Sequence, residues 1–461
     1  MDIESNIDNI KAQIEADKTL STSMRAAIDL LLLIVTLLSQ RLGLNSRNSS
    51  KPPSSDPNRK KNSNANSNRQ PGGQKGHKGT TLEQEIAPDI THILTLDKAL
   101  LPPGKYTSVG EEVRQVVDIE FKRVVTEYRA QILEDEFGKR FAAEFPNNVK
   151  SRIQYGNELK AHAVYLSQYQ LLPYERIREY FTDQLGIPLS SGSLFNFIST
   201  AYAKLEDTQA LVIIKANLVK EKTLHTDETG ININGKRQWL HNASSASWTY
   251  LSAHEKRGAE AMDDIGILPH FTGVMCHDHW KPYYRYECQH SLCNAHHLRE
   301  LLRAYEQDNQ MWAEEMRGYL IALNQEVDKA GGILSPDRQK AVILGYHAIL
   351  KAGEKESPAP LPVEGKRGRP KKTKSRNLLE RLQHYESDVL RFMTENSVPF
   401  TNNQGENDLR MAKVQQKISG CFRSDNGAKM FFGLRSYLSS CKKQGISAST
   451  ALALLFNGML P

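Results

Sequence analysis

The sequence predicts a multidomain α+β protein. Helix-period apolar spacing dominates both ends of the chain, and a strand-rich stretch at 220–285 separates them. The charge excess lies in a segment with almost nothing to bury. At 461 residues the length suits roughly three structural units. With 39% hydrophobic and 25% charged residues the chain is expected to be mostly globular. The longest apolar run, 30–38, is broken by Thr36 and is far short of the ~20 residues that cross a bilayer, so no membrane partner is expected. The N-terminus is acidic, and none of the five cysteines precedes Cys276. Both features argue against a secreted, disulfide-framed protein.

Residues 1–44 read as helix. Ile3, Ile7, Ile10 and Ile14, then Met24, Ile28, Leu31, Val35, Leu38 and Leu42, follow alternating steps of four and three, as a heptad seam does. Between them, the register breaks around 17–21. The helix either self-associates as a short coiled coil or packs on its own domain. Segment 45–82 follows. Here Arg47, Lys51, Arg59, Lys60, Lys61, Arg69, Lys75 and Lys78 stand against Asp56 alone, among Asn, Ser, Pro and Gly. Such a stretch cannot offset its ordering entropy, so disorder is expected, either as a solvated linker or as a phosphate-binding arm.

Residues 83–150 look like a small β-rich module, because Val117, Ile119 and Phe121 alternate with Asp118 and Glu120 before Val124 and Val125. In 151–210 three helices are expected, at 157–168, 173–185 and 191–205. Pro173 stands near the second start, Gly186 at its stop, and Ser190 or Ser191 at the third cap. Short helices with a Gly-containing turn before the last suit a helix-turn-helix, or a helical hairpin that merely packs.

The last domain, built on a strand-rich α/β core, is placed at 215–461. Strands at 223–232, 238–242 and 248–253, a helix at 257–265 and a strand at 271–277 give the opening order of a ribonuclease H-like sheet. Helices at 292–355, a basic linker at 358–376 and a helical region at 377–460 complete it. Asp227 falls inside the first core strand and Asp278 just after the fourth, so the two can meet on one sheet edge. Glu406 would be the third acid, in the first turn of a helix capped by Asn402 or Asn403, where the dipole favours negative charge. Arg410 and Lys413 follow on the same face as phosphate-binding cations. Three such carboxylates suit two Mg²⁺ ions, with Mn²⁺ as a substitute, although each acid taken alone also suits a salt bridge.

Seven strings now carry a family resemblance. They are Asn-Ser-Ser-Lys-Pro-Pro-Ser-Ser-Asp at 48–56, Gly-Gly-Gln-Lys-Gly-His-Lys-Gly at 72–79, His-Thr-Asp-Glu-Thr at 225–229 and Cys-Asn-Ala-His at 293–296. Gly-Arg-Pro-Lys at 368–371, Arg-Asn-Leu-Leu-Glu-Arg-Leu at 376–382 and Asn-Asn-Gln-Gly-Glu-Asn-Asp-Leu-Arg at 402–410 complete the set. Over nearly its full length the chain resembles the bacterial transposases of the insertion sequence 66 family, the large subunit of those elements. The resemblance implies a DDE transposase with a ribonuclease H-like core, Asp227, Asp278 and Glu406 as its metal-binding triad, and a helical insertion at about 300–395 between the second Asp and the Glu. It implies DNA as partner (terminal repeats and target), through Arg47, Lys51, Arg59, Lys60, Lys61, Lys75, Lys78, Arg369, Lys371, Arg410 and Lys413. A homo-oligomer on DNA, accessory proteins from the same element, and a bacterial cytoplasmic location on the nucleoid are further expectations.

The family's zinc ribbon would fall at 83–150, where this chain has no cysteine, so no zinc is expected there. Cys288, Cys293, His296 and His297, with His277 and His279, read as a zinc site or as packing. Cys293 and His296 are expected to brace the active-site helix. His277 and His279 flank Asp278 and either touch substrate phosphate or pack at the strand end, and Trp280 and Tyr283 either stack on a base or fill the core. Two other functions stay open: a catalytically inactive DNA-binding regulator derived from a transposase, and a ribonuclease H-like repair nuclease.

Overall fold

A computed structural model describes residues 10–49 apart from 12, 15, 18 and 19, then residue 56, residues 82–360 apart from 83, 98, 99 and 109, and residues 370–461. The seam positions Ile3 and Ile7, the arm residues Lys51, Arg59, Lys60, Lys61, Arg69, Lys75 and Lys78, Arg369, and the expected disorder of the arm lie outside the described residues.

Helix α1 (Thr22–Gly43) starts where the Ser21 hydroxyl accepts the Met24 N–H at 3.2 Å. Leu32 is its buried apolar residue, whereas Leu31, Val35, Leu38 and Leu42 of the seam are exposed. Beyond it Asn48 is buried, and its Nδ2 donates to Glu306 at 2.9 Å. Residues 84–131 hold no strand among the described residues. The expected β-rich module reduces to one hairpin, β1 (Ile132–Glu134) against β2 (Arg140–Ala142). Val117, Ile119, Val124 and Val125 are exposed, since alternation supplies an apolar face but no second and third strand to cover it. Phe121 meets the edge of Tyr180 at 6.3 Å, and Arg123 donates to the Gly186 carbonyl at 3.4 Å.

Four helices follow: α2 (Asn157–Val164), which runs on through a π turn at Tyr165–Tyr169, α3 (Tyr174–Leu185), α4 (Ser191–Asp207) and α5 (Ala210–Lys220). Pro173 is the cap residue of α3, Gly186 ends it at φ 61°, and the Ser190 side chain caps α4. Phe181, Leu194, Phe197, Ile198 and Leu205 bury against Leu434 and Leu438, which joins these helices to the C-terminal region.

The sheet comprises β3 (Thr223–Ile233), β4 (Lys236–Ser244), β5 (Thr249–His254), β6 (Val274–His277) and β7 (Gln289–Leu292), with α6 (Ala259–Ile265) before β6. Its order is β5-β4-β3-β6-β7. The β3–β4 and β4–β5 pairs are antiparallel, whereas β3–β6 and β6–β7 are parallel. Strand β7 was not foreseen. β6 is shorter than expected, because Leu268–His270 forms a 3₁₀ turn and Gly273 lies against β3's entry. A Cβ at Gly273 would stand 2.5 Å from the Lys222 carbonyl, so only glycine lets β6 approach there.

An insertion of α7 (Asn294–Asp308), α8 (Met311–Lys329), α9 (Pro336–Glu356), α10 (Lys374–His384) and α11 (Glu386–Leu390) follows β7. Its core gathers Trp312, Met316, Tyr346, Leu379 and Leu382 and is continuous with Val274, Cys276 and Leu292 of the sheet. Helices α12 (Asn403–Ser419), α13 (Asp425–Lys443) and α14 (Ala448–Phe456) close the fold. Helix α12 lies on β3 through Leu409, Ala412, Ile231 and Ile233. Helix α13 covers the edge strand: its Ser440 and Ser436 hydroxyls accept the Thr249 and Leu251 N–H groups at 3.0 and 2.8 Å.

Candidate active site

Parallel pairing of β3 with β6 aligns Leu224 with Met275 and His225 with Cys276. Extending that register by two residues sets Asp227 beside Asp278. Asp227 shares its sheet face with Ile231 and Ile233, the face that α12 covers, so Glu406 in the first turn of α12 arrives on the same side. The three acids feel one another. Burial pushes the Asp227 carboxyl well above its ordinary value, and the charges of Glu228, Asp278 and Glu406 push it further. An Asp278 oxygen accepts the Trp280 N–H at 3.0 Å, after His279 has turned the chain at φ 72°. One Glu406 oxygen is buried and has no hydrogen-bond partner.

Glu228 points to the opposite face and is held there. Its side chain is 2% exposed and takes Arg257 at 2.6 and 3.0 Å and the Tyr283 hydroxyl at 2.6 Å. Arg257 in turn lies over Trp239 and Trp280, 4.8 and 4.5 Å from their ring centroids. Burial raises the Glu228 carboxyl, while Tyr283 and Arg257 oppose that shift. The structure thus places Tyr283 in the core and Trp280 under a guanidinium.

Asn402 is the N-cap residue of α12, but its side chain makes no capping bond. Its Nδ2 donates instead to the Thr226 carbonyl at 2.8 Å, and its Oδ1 pairs with His225 Nδ1 at 2.8 Å. The Asn402 N–H donates to Cys293 Sγ at 3.1 Å. Asn242, paired with Asp227 across β4, donates to the Gly405 carbonyl at 3.2 Å. A Cβ at Gly405 would stand 3.0 Å from Asn402 Oδ1 and press on that amide.

Cys293, His296 and Glu406 bring potential ligand atoms within 4.8 Å of one another. The Cys293 sulfur already accepts the Asn402 N–H, and burial raises its thiol pKa. His296 Nε2 and Arg299 lie 3.9 and 4.0 Å from a Glu406 oxygen, and His296 Nδ1 and Arg299 Nε are buried without partners. His277 is fully buried and bonds His290 at 3.1 Å, a packing role rather than a phosphate contact. His297 bonds Asn294. Cys288 is outside the metal-type cluster found among the described residues.

Of the expected DNA contacts, Arg47, Lys371 and Arg410 are exposed. Lys413 donates to the Gly230 carbonyl, and burial lowers its pKa. Glu228, Asn402, Arg257 and Arg299 were missed as site residues. Glu228 stands inside the His-Thr-Asp-Glu-Thr string and Asn402 opens the string containing Glu406, but pairing across 177 residues leaves no mark in local pattern.

A family profile described as Transposase IS66 family matches residues 152–430. The chain belongs to the IS66 transposase family. The match spans α2 to the first turns of α13 and so includes all three acids of this IS66 transposase. A second profile, a family of unknown function (DUF6444), matches residues 3–83. No curated protein matches the chain. As a transposase the protein processes DNA and has DNA as its partner. Among the described residues no helix is long and apolar enough to cross a membrane.

Proposed function

We propose that this transposase is a DDE enzyme on a ribonuclease H-like core, which cuts its element's terminal repeats and joins them to target DNA. Asp227, Asp278 and Glu406 are its metal-binding triad. The carrying observation is the convergence of three carboxylates from β3, the end of β6 and the start of α12, felt in the raised Asp227 pKa. The strand order, with three antiparallel strands followed by two parallel to the first, supports the ribonuclease H-like reading.

The residues fit two Mg²⁺ ions, or Mn²⁺ in their place. Hard carboxylate oxygens are the donors Mg²⁺ takes, and the buried Glu406 oxygen accepts no hydrogen bond, with only the His296 and Arg299 nitrogens near it at 3.9 and 4.0 Å, which leaves it free to ligate. Bound there, the cations would supply neutralisation of phosphate charge and a more acidic attacking hydroxyl. In each step an oxygen nucleophile adds to phosphorus in line with the departing O3′, the P–O3′ bond breaks, the nucleophile's proton passes to solvent, and the leaving O3′ takes a proton from solvent to become a 3′-hydroxyl.

Glu228 is withheld from the metal face by Arg257 and Tyr283 and stiffens β3 beneath Asp227. Arg299 offsets the Glu406 charge from the insertion side. The basic arm with Arg47, the linker with Lys371, and Arg410 contact phosphates, Lys413 least because its ammonium is already held. Helices α3 and α4 form the helix-turn-helix that reads the repeat. The exposed apolar residues of α1 support self-association on DNA. Incubation with the element's ends tests the reading: nicking should occur with Mg²⁺, stop with EDTA, and be lost in Asp227→Ala, Asp278→Ala and Glu406→Ala with end binding kept. Full nicking in any one of these variants removes that acid from the triad.

A further inference from the structure

The three carboxylates meet only if the backbone beside each of them is fixed. Thr226 precedes Asp227, His277 precedes Asp278, and Glu406 sits in the first turn of a helix that rides on the sheet. Residue 402 bonds β3 through its side chain, and through its main chain it bonds its own helix and Cys293, which in turn bonds β6. Asn402 is 2% exposed. On β3 it binds the Thr226 carbonyl and His225 at 2.8 Å each. Toward β6 its N–H meets Cys293 Sγ at 3.1 Å, and the Cys293 N–H donates to the His277 carbonyl at 2.9 Å. On its own helix the Asn402 carbonyl accepts the Glu406 N–H at 3.3 Å.

We propose that Asn402 is a positioning residue for the active site: it fixes the three acid-bearing elements relative to one another without touching substrate. The inference rests on the triad reading above. Cys293 then belongs to the same device, because its sulfur receives the Asn402 N–H.

The chemistry requires an amide. Facing a carbonyl on one side and an imidazole on the other, residue 402 must donate through one atom and accept through the other. Since Nδ2 faces the Thr226 carbonyl, Oδ1 is the acceptor, and His225 carries its proton on Nδ1. A leucine offers neither bond, and an ionised aspartate sets an oxygen against the Thr226 carbonyl. A protonated aspartic acid restores both bonds, which gives a pH signature that loss of packing alone lacks.

The test uses the full chain and its element ends, with single-turnover nicking measured against Mg²⁺ concentration and pH. Asn402→Ala should bind ends within about twofold of the parent and nick about 100-fold more slowly, the loss expected for a displacement on the order of 1 Å. It should also need more Mg²⁺ for half-maximal rate. Asn402→Asp should regain rate relative to the parent as pH falls from about 8 to about 6. A loss of nicking that only tracks a loss of folded, DNA-bound protein, with unchanged Mg²⁺ dependence and no relative rescue at low pH, would reduce Asn402 to a packing residue and overturn the inference. Parental rates in both variants while Glu406→Gln is inactive would overturn it alone. Parental nicking in Glu406→Gln would overturn the triad reading and this inference with it.

Discussion

Lys443→Met should destabilise the fold by about 3 kcal/mol, and most of that loss should return when Asp408→Leu is added. Lys443 Nζ, on α13, donates to Asp408 on α12 at 2.8 Å and to the Ser245 and Trp248 carbonyls at 2.9 and 3.2 Å. The pair thus fastens the helix carrying Glu406 to the β4–β5 turn. The two side chains are 17% and 14% exposed. Burial lowers the Lys443 pKa although Asp408 acts to raise it, so taking the ammonium out of water outweighs what its partner returns. Against an apolar pair of similar size, the ion pair should therefore contribute little. Removing one partner differs, because it leaves Asp408 charged and largely buried, at a cost of about 3–5 kcal/mol for a fully buried pair and the lower end here. Urea unfolding of both single variants and the double variant gives the coupling energy. A single-variant loss under about 1 kcal/mol, or a double variant as unstable as the sum of the singles, would refute the reasoning.

Asp227→Asn should raise the melting temperature of the metal-free protein. The folded-state pKa lies above the usual 3.8, so the folded state holds the proton more tightly. Stability then falls as pH rises from about 4 through the folded pKa, and is lower at neutral pH. Melting curves in EDTA across pH should show that decline in the parent and less of it in the variant. Deleting residues 57–81 should weaken binding to all DNA and flatten its log–log salt slope by about 0.9 for each phosphate no longer neutralised, and an unchanged slope would make the arm a linker. Dialysis against a zinc chelator should leave circular dichroism unchanged, and elemental analysis should find no stoichiometric zinc that depends on residues 83–150.

Where local pattern and tertiary demand coincide, the elements were legible. The strand expected at 223–232 matches β3 to within one residue of its end, and Gly186 and Ser190 bound α3 and α4 as their capping chemistry requires. The stretch 117–121 alternates apolar and charged residues and forms no strand, because a strand needs neighbours that this segment lacks. Strand β7, only four residues long and reading Gln-His-Ser-Leu, shows no alternation by which to find it. At the proposed site, Asp227 inside β3, Asp278 just after β6 and Glu406 in the first turn of α12 stand where the expected elements put them. The Glu228–Arg257 pair and the Asn402 bridge do not, since they depend on elements brought together from 29 and 176 residues apart.

The central claim, that Asp227, Asp278 and Glu406 make one metal site, is tested most directly by soaking crystals of the full chain in Mn²⁺ and locating the ion by anomalous scattering. An anomalous peak in contact with both Asp227 and Asp278, absent in Asp227→Asn, is the predicted result. Mn²⁺ bound elsewhere on the chain with no peak between these carboxylates, in protein that still nicks its element ends, would contradict the account.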